Sequence, residues 1–217
     1  MNFYHPAYLA EMRALCDAHG ALLIFDEIAA GFYRTGPLWA HTRAGVKPDI
    51  MTVGKALTGG HITLAAALAS ERVAETISNG RPSAFMHGPT YMANPLACAA
   101  ALASLELFAK GDYAANVARI EHAFKAGLEP LVVLPNIKDV RVLGAAAVIE
   151  VERLPARKDI ERVIDKHNVW LRPFGNFIYA MPPLVSDAAT IARITAALAD
   201  LALSKPGPAP VDGDFHE

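Results

Sequence analysis

Apolar positions along this chain follow two rhythms. Leu9, Met12 and Cys16 recur at helical spacing, Pro6 suits a first helical position and Gly20 is placed to end the element, so the pattern predicts a helix over 6–19. Residues 22–26 form a short, continuously apolar run closed by Asp26 and Glu27. Such a run predicts a strand buried on both faces, as in a parallel sheet. Residues 49–53 and 64–69 predict two more strands, with a loop over 31–44 between the first and second. Residues 81–90 read as irregular. Asn94 is a candidate cap, Pro95 a first helical residue and Gly111 a stop, which predicts a helix to Lys110. That helix is alanine-rich and apolar nearly all round, so burial in a domain or at a subunit contact is expected.

Composition shifts after residue 112. Val117, Ile120, Phe124 and Leu128 share one face of a predicted helix over 112–128. Residues 140–151 read as strand with Gly144 inside, 157–167 as helix and 169–181 as strand-rich. A final helix is expected over 186–204 with Ser186 as its cap, and the proline- and glycine-bearing tail 205–217 is expected to be disordered. The fold class expected is α/β: a sheet-bearing piece of a larger domain over 1–112, then a small α+β domain over 113–204. Two or three strands make a thin sheet with an apolar open edge. The expectation is that another chain covers that edge, or that the chain is an N-terminally truncated fragment.

Charge excludes more than it indicates. The 217 residues carry 20 basic and 22 acidic side chains, with no basic patch for nucleic acid. No apolar run reaches membrane-spanning length and no signal peptide is visible, so no membrane association is expected. Cys16 and Cys98 read as reduced core thiols of a cytoplasmic protein. The eight histidines are scattered without metal-ligand spacing.

Four segments carry candidate chemistry. Lys55 follows an apolar strand and stands among Gly54, Ala56, Gly59 and Gly60, small residues that permit a tight turn and close approach of a planar group. Asp26 ends the neighbouring apolar run. A lysine and an aspartate at the ends of adjacent buried strands suit pyridoxal phosphate chemistry, in which the lysine forms a Schiff base and the carboxylate keeps the pyridine nitrogen protonated. Taken singly, Lys55 reads equally as a solvated lysine, and Asp26 as a helix cap or salt-bridge partner. A phosphate loop is excluded, because Ala56 follows Gly54-Lys55 and Asp49 stands where the first glycine belongs. Gly88, Pro89 and Thr90 form a rigid polar turn before a helix, suited to phosphate or to an ordinary helix entry. Arg172, between apolar neighbours, is expected to be partly buried against a carboxylate, either a substrate's or a structural one. Tyr179 follows in an apolar run. Glu27 is assigned a structural role only.

Taken together, these segments resemble the class III (fold type I) pyridoxal-phosphate aminotransferases. The pattern runs Phe25-Asp26-Glu27-Ile28, Gly31-Phe32, Arg34-Thr35-Gly36, Asp49-Ile50, Gly54-Lys55 and Gly59-Gly60. Within that class, the run from Met86 through Gly88-Pro89-Thr90 to Cys98, and Trp170-Leu171-Arg172-Pro173-Phe174 with Tyr179, are similar to the enzymes that move an amino group from S-adenosylmethionine to 7-keto-8-aminopelargonate. Their product is 7,8-diaminopelargonate, in biotin biosynthesis.

The resemblance implies an enzyme, a transaminase with pyridoxal 5'-phosphate as cofactor and two half-reactions. It implies that Lys55 bonds the cofactor and shuttles the proton, and that Asp26 pairs with the ring nitrogen. Pro89 and Thr90 would hold the phosphate across a homodimer interface, and Gly88 would lie by the donor. Arg172 would hold a substrate carboxylate, and Tyr179 would fit both substrates. Tyr33 departs from the glycine usual at its position. The resemblance covers only the C-terminal part of the family. The upstream Gly-Ser phosphate turn and the stacking aromatic residue have no counterpart in these residues. Two alternatives stand: another class III transaminase acting on ω-amino acids, or a non-catalytic remnant.

Overall fold

A computed structural model describes residues 1–207. The chain divides into two compact units, Tyr4–Ala114 and Ala115 onward with Met1–Phe3. The expected disordered tail falls mostly on residues 208–217, outside the described residues.

In the first unit, helix α1 spans Pro6–His19 and stops at Gly20, whose left-handed backbone (φ 65°) returns N–H groups to the Asp17 and Cys16 carbonyls. Strand β1 is Ile24–Asp26, β2 is Ile50–Val53 and β3 is Ala66–Ala69. The sheet order is β1-β2-β3, with β1 parallel and β3 antiparallel to β2. Asp49 fastens the start of β2. Its carboxylate accepts from the Leu23 N–H (2.8 Å), from Arg13 (2.8 Å) on α1 and from Arg72 (2.6 Å). These bonds, the Leu23 amide foremost, hold the Asp49 carboxyl far below the usual carboxylate range.

Two expectations change here. Strand β1 is not buried on both faces: among the described residues β2 is its one strand neighbour, and Ile24 is 57 % exposed. A helix not read from the sequence, α2 (Glu71–Ser78), follows β3. Val73 and Ile77, four residues apart, are half-buried in it and its other residues are exposed. Helix α3 (Pro95–Lys110) has the expected bounds, and the Asn94 side chain accepts from the Leu96 and Ala97 N–H groups. It buries Ala97, Ala101 and Ser104 and leaves Leu96, Leu102 and Leu107 exposed, so of the two settings expected for it, a domain interior or a subunit contact, this unit does not supply the first. The core of this unit gathers Phe32, Val53, Leu57 and Ala101, with Trp39, Met51 and Phe108 packed against them.

The second unit is built from α4 (Tyr113–Leu128), β4 (Ile137–Leu143), β5 (Ala146–Val151), α5 (Arg157–His167), β6 (Phe177–Ala180) and α6 (Ala188–Leu203). Its sheet is antiparallel in the order β4-β5-β6. Val117, Ile120, Phe124 and Leu128 are fully buried, as their shared face predicts. Each such burial stabilises by roughly 1.5–3 kcal/mol. The single strand expected over 140–151 is a hairpin instead, because Gly144 takes a left-handed turn (φ 57°) that reverses the chain. Only Phe177–Ala180 of the strand-rich stretch pairs in the sheet. The cap of α6 is Asp187 rather than Ser186, and its side chain accepts from the Thr190 N–H at 2.8 Å. Among the described residues no helix is long and apolar enough to cross a membrane.

Candidate active site

Asp26 is the last residue of β1 and lies beside Thr52 in the parallel pair. Lys55 follows three residues beyond Thr52, just past the end of β2. The sheet therefore carries both residues to the same, C-terminal, end of two neighbouring parallel strands. In open α/β sheets that end is where ligands bind. Both side chains are exposed. The Asp26 carboxylate accepts from the Ile28 N–H at 2.9 Å through Oδ1, which orients it at the strand end.

Lys55 has a left-handed backbone, φ 47°, an unusual state for a residue with a Cβ. It opens a single 3-10 turn, Lys55–Thr58, closed by Gly59 and Gly60 at φ 61° and 83°. That turn is anchored from below. Leu57 and Thr58 are buried, and the Ser104 hydroxyl of α3 donates to the Ala56 carbonyl at 3.0 Å. Strained backbone held by surrounding packing is common at functional sites.

Glu27 is the residue whose importance the sequence understated. Its carboxylate is buried and accepts from the Ala40 N–H (3.0 Å) and the His41 N–H (2.9 Å). The His41 Nδ1 stands 3.0 Å from the same carboxylate, as the donor in its Nδ1-protonated tautomer. Glu27 thus staples the loop after β1 onto the strand end next to Asp26. Tyr33 also has a left-handed backbone (φ 66°) and stacks on Tyr113 at 5.9 Å. Burial pushes the Arg34 guanidinium below its ordinary value.

Gly88, Pro89 and Thr90 lie in an exposed irregular stretch ahead of α3. A Cβ placed on Gly88 would meet nothing within 4 Å. The Thr90 hydroxyl bonds no described residue, and Met92 N–H returns to the Pro89 carbonyl at 2.9 Å. Phe85, Met86 and Tyr91 in the same stretch are 72–82 % exposed.

Arg172 and Tyr179 belong to the second unit. Arg172 is exposed rather than partly buried: its neighbour Leu171 turns inward and takes the core position. Tyr179 is half-buried on β6, opposite Val148 of β5. A groove of about 470 Å³ between α4 and α6 contains none of the seven residues singled out, so concavity alone does not find this site. Among the described residues no cluster of three or more His, Cys, Asp or Glu is placed to hold a metal ion.

The residues of the first unit fit pyridoxal 5'-phosphate. A primary amine and a carboxylate stand at the same end of two neighbouring strands, and the buried Oγ1 of Thr52, paired with Asp26, has no hydrogen-bond partner among the described residues.

The chain is similar to known proteins over nearly its whole length. The family profile described as aminotransferase class-III matches residues 1–202. The adenosylmethionine-8-amino-7-oxononanoate aminotransferase of Mycobacterium leprae is 50 % identical over 202 residues, covering 93 % of this chain and 46 % of that protein. The enzyme of the same name from Corynebacterium glutamicum is 48 % identical, covering 91 % and 47 %. Among solved structures, a PLP-bound amine transaminase from an uncultivated Pseudomonas species superposes with a TM-score of 0.82 at 34 % identity, covering 91 % of this chain and 47 % of that one. An ornithine aminotransferase from Toxoplasma gondii does so at 0.82 and 29 %, covering 92 % and 47 %. The chain spans about half the length of the curated relatives it matches.

Proposed function

The chain belongs to the class-III aminotransferase family, and on that footing we propose that it carries the lysine-bearing part of a transaminase that moves the amino group of S-adenosylmethionine to 7-keto-8-aminopelargonate, giving 7,8-diaminopelargonate for biotin. The observation that carries this reading is the parallel pairing of β1 and β2, which sets Asp26 and Lys55 at one sheet end. Relatives at 48–50 % identity bear the name of that reaction.

When bound, pyridoxal 5'-phosphate supplies a carbonyl that takes and later releases the amino group, and an electron-poor ring. Lys55 Nζ would hold the cofactor and would carry the proton to and from the substrate carbon. The exposure of Lys55 leaves its amine free to do both. The Asp26 carboxylate keeps a proton on the ring nitrogen. Pro89 and Thr90 hold the phosphate, with Pro89 fixing the turn and the Thr90 hydroxyl donating. Gly88 leaves room for the donor. Arg172 binds a substrate carboxylate and Tyr179 lines the pocket. The exposed apolar side chains Phe85, Met86, Tyr91, Leu96 and Leu102 support a homodimer in the full-length form. A cytoplasmic setting agrees with two free cysteines.

A second reading, an amine or ω-amino-acid transaminase, is favoured by the solved structures the chain resembles. Amino-donor profiling of the full-length form separates the two. The first reading expects turnover with S-adenosylmethionine and 7-keto-8-aminopelargonate. Turnover with simple amines or ω-amino acids, and none with S-adenosylmethionine, contradicts it.

A further inference from the structure

Thr52 lies on the same sheet face as Asp26, directly opposite it in the parallel pair. Its hydroxyl oxygen is shut off from solvent and has no hydrogen-bond partner among the described residues. A buried hydroxyl without a partner is destabilising, and valine would fill the same strand position without that cost. The orphan therefore needs an acceptor. Its other cross-strand neighbour, Ala67 of β3, has an apolar side chain. On the Asp26 side, Oδ1 accepts from the Ile28 N–H, and Oδ2 has no donor among the described residues. Adjacent strands are about 4.8 Å apart, so a side-chain rotation brings hydroxyl and carboxylate within hydrogen-bond distance.

We propose that Thr52 is a positioning residue for Asp26: when the cofactor is bound, its hydroxyl turns from its orphaned position to donate to Asp26 Oδ2 and fixes the carboxylate in the orientation that meets the ring nitrogen. A carboxylate oxygen accepts two hydrogen bonds, so Oδ2 receives the hydroxyl and the ring N–H together. With Ile28 on the other oxygen, Asp26 is held from both sides. The proposal rests on the reading of Lys55 and Asp26 given above.

The test titrates the chain with pyridoxal 5'-phosphate and follows the visible band, for the wild type, Thr52→Val, Thr52→Ser and Lys55→Ala. Thr52→Val should weaken binding about fivefold, the equivalent of one hydrogen bond of about 1 kcal/mol. Thr52→Ser should stay within about twofold of the wild type, because it keeps the donor. For the deaza analogue, in which CH replaces the ring nitrogen, the difference between wild type and Thr52→Val should vanish. Without cofactor, Thr52→Val should melt no lower than the wild type, since it removes a buried orphan. Equal affinity of Thr52→Val and wild type, or an equal deficit with the deaza analogue, overturns the role of Thr52 and leaves the Lys55 reading intact. A fall in cofactor-free melting matched by the loss of affinity makes Thr52 structural and also overturns it. No lysine-dependent band in the wild type overturns the Lys55 reading and this proposal together.

Discussion

Replacing Lys55 by glycine should stabilise the cofactor-free protein relative to Lys55→Ala. The backbone there is left-handed, φ 47°. A residue with a Cβ is strained in that region by about 1–2 kcal/mol, and glycine is not. Glycine gives back about 0.4–1 kcal/mol through the extra freedom of its unfolded chain. The net gain of Lys55→Gly over Lys55→Ala is then about 0.5–1 kcal/mol. The alanine variant isolates this effect, since both variants lose the same exposed side chain. At an ordinary helical position the order reverses, with glycine about 1 kcal/mol below alanine. Urea unfolding can be followed by the fluorescence of Trp39, which packs edge-on against Phe32 in the core of the first unit. With a slope of about 2 kcal/mol per molar urea, the midpoint should rise by about 0.3–0.5 M. A glycine variant less stable than the alanine variant would refute the strained placement of Lys55.

Three further outcomes follow from other contacts. The Asp49 carboxyl is depressed in the folded state, so its contribution is complete above the ordinary aspartate value of about 4 and is lost as pH falls below it. Acid unfolding of Asp49→Asn should accordingly be less steep below pH about 4 than that of the wild type, and parallel curves count against the three-donor clasp. A Cβ on Gly127 would collide with Thr195 Cγ2, so Gly127→Ala should cost about 1–2 kcal/mol by overpacking. In a Thr195→Ser background, which removes that methyl, the same change should instead gain up to about 1 kcal/mol of helix propensity; circular-dichroism melts of the four proteins decide it. Asn94→Ala removes the side chain that accepts from Leu96 and Ala97 and should cost about 1 kcal/mol, read as a lower urea midpoint.

Local chemistry was legible where one residue decides it. Pro6 with Gly20 bounds α1, and Asn94 with Pro95 opens α3. Four apolar residues at helical spacing give the buried face of α4. What depends on distant partners was not legible. An apolar run such as 22–26 reads as a strand buried on both faces; the open apolar edge expected of so thin a sheet prevails instead, and among the described strands β1 lies at an edge with Ile24 exposed. Gly144 inside an apolar stretch is compatible with a kinked strand or a hairpin, and only pairing distinguishes them. At the candidate site, Lys55 and Asp26 stood out because each closes an apolar run. Their register did not, because it is set by pairing between chain segments some 26 residues apart. The Glu27 staple and the orphaned Thr52 hydroxyl depend on the same tertiary register. Arg172 misled for a related reason: apolar neighbours in sequence alternate in and out, and it is Leu171 that points in.

Lys55, just past the end of β2, is the amine proposed to bond pyridoxal 5'-phosphate. The most direct measurement is the visible absorption spectrum of the purified chain titrated with the cofactor, with Lys55→Ala beside it. The account predicts a band that saturates in the wild type and is absent in the variant. A band of equal strength in both proteins, or none in the wild type, would contradict it.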